Sequence, residues 1–232
     1  RIVELVDFLP EDARRGQLPG PLGLQRRKAE GLRATSGSVQ AWLDEQYPEI
    51  EQRAKAEGAE IHWGDETALV NTDVRGRSDV PAGKTPVACA VGSTRQKLSM
   101  IATVTNQGKT RWMIIDQAFN SDKLIEFLEA LTKETGQEGI PDLDNLRASK
   151  PVKAWAAEWK DKIELFCLSS YSPELNPEEW LNADLKQAIG SKVPARTKAK
   201  LKTAATEHMT QLEQNPDRVM SYFQDPPVKY AA

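Results

Sequence analysis

The sequence predicts an α/β fold with one mixed sheet, in which an antiparallel meander is followed by alternating helices and strands, with helices on both faces. Two observations predict it. In the first half of the chain, apolar and polar residues alternate in short runs that are joined by turns, which is typical of neighbouring antiparallel strands. In the second half, segments with a helical apolar stripe alternate with short β-rich runs. At 232 residues, the chain is long enough for one substantial core.

The first clear element is a helix from Ser38, with Gly58 as its expected stop. A strand at 59–67 follows, and its alternation places Asp65 at the strand end. Further strands are expected at about 85–93, 97–104 and 110–117. The weakest of these, 85–93, is alternatively a loop or an edge strand. Gly108 and Lys109 mark a hairpin turn.

The second half begins with a helix that Asn120 or Ser121 caps and Gly136 ends. The expected elements after it are a short strand at about 140–144, a helix through Val152 and Trp159, a β-rich run at Ile163–Leu168, and a last helix through Leu201 and Leu212. Residues 1–37 have a high Gly and Pro content and predict a linker or arm, so that residues 38–232 form the folded domain.

Composition and charge exclude some classes of protein. No apolar run approaches the ~20 residues that a membrane span needs. The two cysteines, Cys89 and Cys167, lie far apart and predict small core residues rather than a disulfide or zinc pair, which fits a reducing cytoplasm. The net charge is −3, but the stretch from Lys186 to Thr206 has six positive residues and no acid. Such a stretch is either a solvated face or a surface for phosphate contacts.

The most informative stretch is Ser170–Lys186, SYSPELNPEEWLNADLK. Asn176 is predicted to be the N-cap of a helix and Pro177 its first residue, which places Glu178 and Glu179 in the first turn. Acidic residues there are favoured by the helix dipole alone. A carboxylate held by a rigid turn is also well placed to bind a metal ion. Leu181, Leu185 and Ile189 are spaced to face a core.

Three acids fall at the ends of predicted elements: Asp65, Asp144 and Glu179. Element ends in a mixed sheet converge on one edge, where ligand sites are usually built. Three carboxylates at close range need a compensating cation, and oxygen ligands select magnesium or manganese. A zinc site is not indicated, because His62 and His208 are far apart in the sequence and His62 points away from Asp65 by strand alternation.

The blocks WGDET, LDNLR and SYSPELNPEEWLNADLK resemble the three signature blocks of the DDE transposases. More narrowly, they resemble the mariner-related bacterial insertion-sequence family of the insertion sequence 630 type. The resemblance implies a ribonuclease-H-like catalytic domain that cleaves DNA at transposon ends and transfers the strands into target DNA. It implies Asp65, Asp144 and Glu179 as catalytic metal ligands, with Mg²⁺, or Mn²⁺ as a substitute, as a pair of ions.

The same resemblance implies double-stranded DNA as partner, a homodimer, and a bacterial cytoplasmic location associated with the nucleoid. It also implies that residues 1–37 are a remnant of the linker to an upstream DNA-binding region. The positive residues expected at the DNA are Lys186, Arg75, Arg77, Lys192 and Arg196. For Arg75 and Arg77, an exposed turn without a DNA contact is an equal alternative. Trp180 is expected to be a core anchor, and Glu178 to cap the helix.

The block around Asp144 departs from the family pattern. The strand before it reads EGIPDL, in which Pro141 and Asp142 are unfavourable in a buried strand, and no histidine follows. Two alternatives therefore remain open: a catalytically impaired or repurposed derivative that binds DNA, and another ribonuclease-H-like nuclease.

Overall fold

A computed structural model describes residues 2–6, 36–71, 95–135, 149–168, 172–190, 195 and 197–232. Its centre is one five-stranded sheet with the strand order β4-β3-β2-β1-β5. The strands are β1 Ile2–Val6, β2 Glu60–Val70, β3 Lys97–Val104, β4 Thr110–Ile115 and β5 Ile163–Cys167. The sheet is mixed, as predicted, because β2, β3 and β4 pair antiparallel while β1 pairs parallel with both β2 and β5.

The predicted hairpin between β3 and β4 is confirmed. Gly108 adopts φ +82°, a left-handed conformation that favours glycine. A Cβ atom at this position would also lie 2.7 Å from the Cβ of Pro216, so both the backbone and the packing require glycine. Gly58, the predicted stop of the first helix, is likewise left-handed at φ +65°.

Strand β1 corrects the expectation that residues 1–37 are a linker or arm. Ile2–Val6 form a strand inside the sheet, paired on one side with residues 60–64 and on the other with Ile163–Cys167. The physical reason is that a short apolar segment can fill the gap between two parallel strands, where both of its edges find hydrogen-bond partners. Residues 7–35 lie outside the described residues, so for them the assignment stays a prediction.

Helices pack on both faces of the sheet, as predicted. They are α1 Ser36–Ala41, which continues through a π-helical segment Trp42–Gln46 into α2 Tyr47–Glu57, and then α3 Ser121–Thr135, α4 Lys150–Glu158, α5 Glu178–Gly190, α6 Lys198–Glu213 and α7 Pro216–Ser221. Asn120 is the predicted cap of α3: its side-chain oxygen accepts a hydrogen bond of 3.0 Å from the Lys123 N–H.

Strand alternation divides the core into two clusters. On one face, Trp63, Leu69 and Met100 pack with residues of α2, α5, α6 and the C-terminal segment. On the other face, Ile101 and Ile115 pack with α3 and α4. This division decides which helices can approach Asp65, because Asp65 shares the face of Trp63.

Two strand predictions lie outside the described residues: 85–93 and 140–144. A third needs correction, because Asp65 does not end its strand. Strand β2 continues to Val70, since Thr67 and Leu69 still pair with β3 and are buried. Among the described residues, the parallel pairing with β1 covers β2 from Glu60 to Gly64, which is the residue before Asp65.

Candidate active site

Asp65 lies within β2, on the face of the sheet that α5 covers. It is 5% exposed, and its Oδ1 accepts a hydrogen bond of 2.7 Å from the backbone N–H of Glu66. Strand alternation places Glu66 on the opposite face, as predicted. Trp63 lies two residues earlier on the same face as Asp65 and is buried against the rings of Tyr47 and Tyr230. The backbone that carries Asp65 is therefore anchored in the core.

The loop before α5 is built around Asn176, which is fully buried. Its Oδ1 accepts a hydrogen bond of 3.0 Å from the Glu178 N–H, which confirms the predicted N-cap. Its Nδ2 donates to the carbonyl oxygen of Gly64 at 3.3 Å. Because Gly64 directly precedes Asp65, one amide side chain fixes both the start of α5 and its distance from the strand that carries Asp65.

The C-terminal segment supports the same loop. The Tyr230 hydroxyl donates to the carbonyl oxygen of Leu175 at 2.8 Å and accepts from the indole Nε1 of Trp42 at 3.0 Å. Leu175 ends the 3₁₀ turn Pro173–Leu175, one residue before Asn176. The loop is therefore held by the sheet on one side and by the end of the chain on the other.

Glu178 differs from the prediction that it caps the helix. Asn176 provides the cap, and the Glu178 side chain is fully buried. Its Oε2 accepts a hydrogen bond of 2.6 Å from Asn182 Nδ2, and the same nitrogen lies 3.5 Å from Asp65 Oδ2. Burial raises the pKa of Glu178 well above its ordinary value, and the negative charges of Asp65 and Glu179 add to this, while Lys186 opposes it.

Glu179 lies in the same first turn but is half-buried. Its N–H donates to the Asn176 carbonyl oxygen at 3.1 Å. Its charge contributes to the raised pKa of Glu178, which places the two carboxyl groups in one electrostatic environment with Asp65. Glu179 thus reaches solvent at the edge of a buried pair, Asp65 and Glu178.

Trp180 corrects the expectation of a core anchor, because it is 42% exposed. The buried face of α5 is formed by Glu178, Leu181, Asn182 and Leu185. Trp180 follows Glu178 by two residues, about 200° around the helix, and therefore points outward. The predicted core positions Leu181 and Leu185 are confirmed, as both are fully buried, and Ile189 packs partly buried against the same cluster.

Most of the other predicted site residues lie outside the described residues: Asp144, Arg75, Arg77, Lys192 and Arg196. Lys186 is described and half-buried on α5. Two lysines of the basic stretch are engaged locally, since Lys198 donates to the Asp116 carbonyl and Lys202 donates to its Oδ2 at 2.6 Å. That contact ties α6 to the end of β4.

Within the described part of the chain, no group of three or more His, Cys, Asp or Glu residues is placed to hold a metal ion. The donor chemistry around Asp65 nevertheless fits a hard cation. Glu178 Oε1 and Asn182 Oδ1 are buried and have no hydrogen-bond partner among the described residues. Oxygen atoms are the ligands that magnesium and manganese take.

Sequence reasoning missed the contact of Asn182 with Glu178 and Asp65. The available signal was the i, i+4 spacing of Glu178 and Asn182, which brings two helical side chains together. Nothing in the spacing showed that the pair is buried, because the burial depends on where α5 crosses β2.

No helix among the described residues has the length and apolar character needed to cross a membrane.

Comparison with known proteins identifies the family. The family model described as DDE superfamily endonuclease matches residues 60–202. The sequence has no significant match among curated proteins. A solved Mos1 transposase paired-end complex with the left transposon end matches at a TM-score of 0.59 and 13% identity, over 94% of this chain and 68% of that chain.

Two further solved structures are similar. The mariner Mos1 paired-end complex with Mg matches at a TM-score of 0.55 and 14% identity, over 96% of this chain and 69% of that chain. The Mos1 transposase catalytic domain with Raltegravir and Mn matches at a TM-score of 0.53 and 12% identity, over 85% of this chain and 96% of that chain. At these identities the likeness shows the fold, which confirms the predicted ribonuclease-H-like architecture.

Proposed function

Because the chain belongs to the DDE superfamily endonucleases, whose family model matches more than half of its residues, we propose that it is the catalytic domain of a transposase that cleaves DNA at transposon ends and transfers the strands into target DNA. One observation carries the proposal: Asn176 binds Gly64 and caps α5, which brings the first turn of α5 beside Asp65. The narrower insertion sequence 630 type is part of this proposal.

In this account, Asp65 and Glu179 supply carboxylate oxygens for Mg²⁺, with Mn²⁺ as a substitute and two ions in the complete site. Bound ions of this kind activate a hydroxyl for attack on a phosphodiester and stabilise the leaving oxygen. The chain's own residues position the site. Asp65 is fixed by the Glu66 N–H, and Glu179 is held by the cap. Half-burial leaves Glu179 open toward the solvent side, from which DNA would approach.

The partner in this proposal is double-stranded DNA, as transposon end and as target. Solved Mos1 structures include complexes with transposon ends and a strand transfer complex, and this chain shares their fold. Lys186, about two helical turns after Glu179 on α5, is the described candidate for a phosphate contact. A homodimer and a bacterial cytoplasmic location belong to the same proposal, as do DNA contacts from Arg75, Arg77, Lys192 and Arg196.

The second of the three catalytic acids, which lies between Asp65 and Glu179 in the family pattern, has two candidates in this sequence. Asp144 is proposed from the signature block LDNLR. However, the place between β2 and β5 is filled by β1, and the sequence continues from Val6 directly to Asp7. Val6 pairs with Gly64, the residue before Asp65. An experiment on the second acid therefore needs both Asp144→Asn and Asp7→Asn.

The test is Mg²⁺-dependent nicking of duplex DNA that carries the element's ends, with the full chain. Glu179→Gln and Asp65→Asn are each expected to abolish nicking while the circular dichroism spectrum stays unchanged. Glu174→Gln is the matched control, because Glu174 is an exposed carboxylate in the loop before the same helix and is expected to cleave normally. Normal cleavage by Glu179→Gln would refute the assignment.

A second candidate function is a catalytically impaired derivative that binds DNA without cutting it. The sequence before Asp144 favours it, since Pro141 and Asp142 are unfavourable in a buried strand. This candidate predicts salt-dependent binding of transposon-end DNA by the full chain, with no nicking in Mg²⁺ or Mn²⁺. Cleavage of hybrids or junctions, but not of duplex ends, would instead indicate another ribonuclease-H-like nuclease.

A further inference from the structure

Asn182 lies on the buried face of α5, one turn after Glu178, and is 2% exposed. Its Nδ2 is 2.6 Å from Glu178 Oε2 and 3.5 Å from Asp65 Oδ2. It is therefore the side chain that links the carboxyl groups of β2 and α5.

The carboxyl groups of Asp65 and Glu178 are both buried and both lie close to Asn182, so each disfavours the ionisation of the other. An amide nitrogen carries two hydrogens and no charge, so it can donate to both groups at once. The shorter distance shows that Glu178 anchors the amide, and the longer one shows that the second N–H is presented to Asp65. Buried Glu178 thereby fixes the orientation of Asn182, and Asn182 faces Asp65.

Asp65 is consequently held from two sides. The Glu66 N–H binds Oδ1 at 2.7 Å, and Asn182 faces Oδ2. A carboxylate oriented in this way loses little rotational freedom when a cation binds. Groups that orient metal ligands contribute strongly to affinity, and their loss costs about 10- to 100-fold.

We propose that Asn182 is a positioning residue that fixes the Asp65 carboxylate between buried Glu178 and the Glu66 N–H and so strengthens the binding of a divalent cation. This inference rests on the proposed function, because it takes Asp65 as a ligand of the cation. It differs from that function in naming a neutral side chain whose amide nitrogen acts through Asp65.

The experiment is a Mn²⁺ titration of the full chain, with free Mn²⁺ followed by electron paramagnetic resonance. Asn182→Ala is expected to bind Mn²⁺ about 10-fold more weakly than the unchanged chain. Gln187→Ala is the matched control, because Gln187 is an exposed amide on the same helix, and its affinity is expected to stay unchanged. Melting temperatures in EDTA separate a loss of stability from a loss of affinity.

Nicking assays give a second readout. For Asn182→Ala, the Mn²⁺ concentration at half-maximal rate is expected to rise about 10-fold, while the rate at saturating Mn²⁺ changes far less. If Asn182→Ala does not fold, Asn182→Leu replaces it, since leucine has the same branched arrangement of four heavy atoms, favours the helix and lacks the donor.

The outcomes separate the two proposals. Equal Mn²⁺ affinity in the unchanged chain and in the folded Asn182 variant would overturn the role of Asn182 and leave the proposed function standing. Absence of Mn²⁺ binding by the unchanged chain would overturn both. A lower melting temperature with unchanged affinity would make Asn182 a purely structural residue and so contradict the inference.

Discussion

Asn176 donates a hydrogen bond of 3.3 Å to the carbonyl oxygen of Gly64, and this contact joins the loop before α5 to the strand that carries Asp65. The two residues are 112 positions apart in the chain. The bond therefore closes a long-range contact next to the site, in a region where Asn176 is fully buried. This contact therefore helps to set the distance between Asp65 on β2 and the carboxyl groups of Glu178 and Glu179 on α5.

The change Asn176→Asp tests this contact without removing the helix cap. Aspartate accepts from the Glu178 N–H as well as asparagine does, but it places a carboxylate oxygen against the Gly64 carbonyl. We expect the free energy of unfolding to fall by about 1–3 kcal/mol in urea titrations, because a buried acceptor loses its donor. Nicking activity is expected to fall more steeply than stability.

Asn215→Asp is the matched control for that change. Asn215 caps α7 by accepting from the Arg218 N–H at 3.2 Å, and it is exposed. The substitution there is expected to change the free energy of unfolding by less than about 0.5 kcal/mol. Equal losses at Asn176 and Asn215 would mean that the Gly64 contact contributes nothing.

Two tryptophans near the site are expected to differ in stability. Trp63 is 1% exposed and packs within 5.5 Å of the Tyr47 ring centroid, so Trp63→Ala leaves a cavity and is expected to cost about 3–5 kcal/mol. Trp180 is 42% exposed, so Trp180→Ala is expected to cost less than about 1 kcal/mol. Chemical denaturation of both variants measures the difference. A large loss for Trp180→Ala would restore the core-anchor interpretation.

Acid stability is expected to depend on Asp184, which joins α5 to α7. Burial alone would raise the pKa of Asp184, but interactions with His208, Tyr222 and Arg218 outweigh it and lower the pKa to about 2. The Arg218 Nη2 donates to Oδ1 at 2.5 Å. Since the folded-state pKa lies below the ordinary value of 3.8, the ionised group stabilises the fold above pH 4 and loses this contribution as the pH falls toward 2.

Urea titrations between pH 6 and pH 2 measure this contribution. We expect Asp184→Asn to be less stable than the unchanged chain at pH 6 by about 1 kcal/mol, a figure that allows for solvent screening. The two curves should converge near pH 2. Asp217→Asn, at an exposed position of α7, is expected to follow the unchanged chain throughout. A constant difference across the whole pH range would exclude the titration of Asp184 as the cause.

Local patterns predicted the parts of the fold that local physics determines. Leu181 and Leu185 were placed in the core because i, i+4 spacing defines one helix face, and Gly58 and Gly108 were placed at turns because both sites need a left-handed backbone. Ile2–Val6 were missed because five residues carry too little pattern. Their pairing with β2 and β5 joins segments 58 or more residues apart.

The site could be predicted only in part, because local contacts can be read from the sequence and long-range contacts cannot. Asn176 was found because its cap is local, whereas its bond to Gly64 depends on the packing of α5 against β2. Trp180 was assigned to the core from its side chain alone, although Glu178 occupies the buried face in its place. A buried carboxyl group is costly without a partner, so the sequence favours a capping role for Glu178 at the helix start. Its contact with Asn182 supplies that partner. The roles of Asp144, Asp65 and Glu179 as metal ligands stay predictions.

Calorimetric titration of Mn²⁺ into the full chain tests whether Asp65 is a ligand of a divalent cation. We expect Mn²⁺ to bind the unchanged chain and Asp217→Asn, and we expect binding to be lost in Asp65→Asn at an unchanged melting temperature. Absence of binding in the unchanged chain, or equal binding in folded Asp65→Asn, would contradict the assignment of Asp65 as a metal ligand.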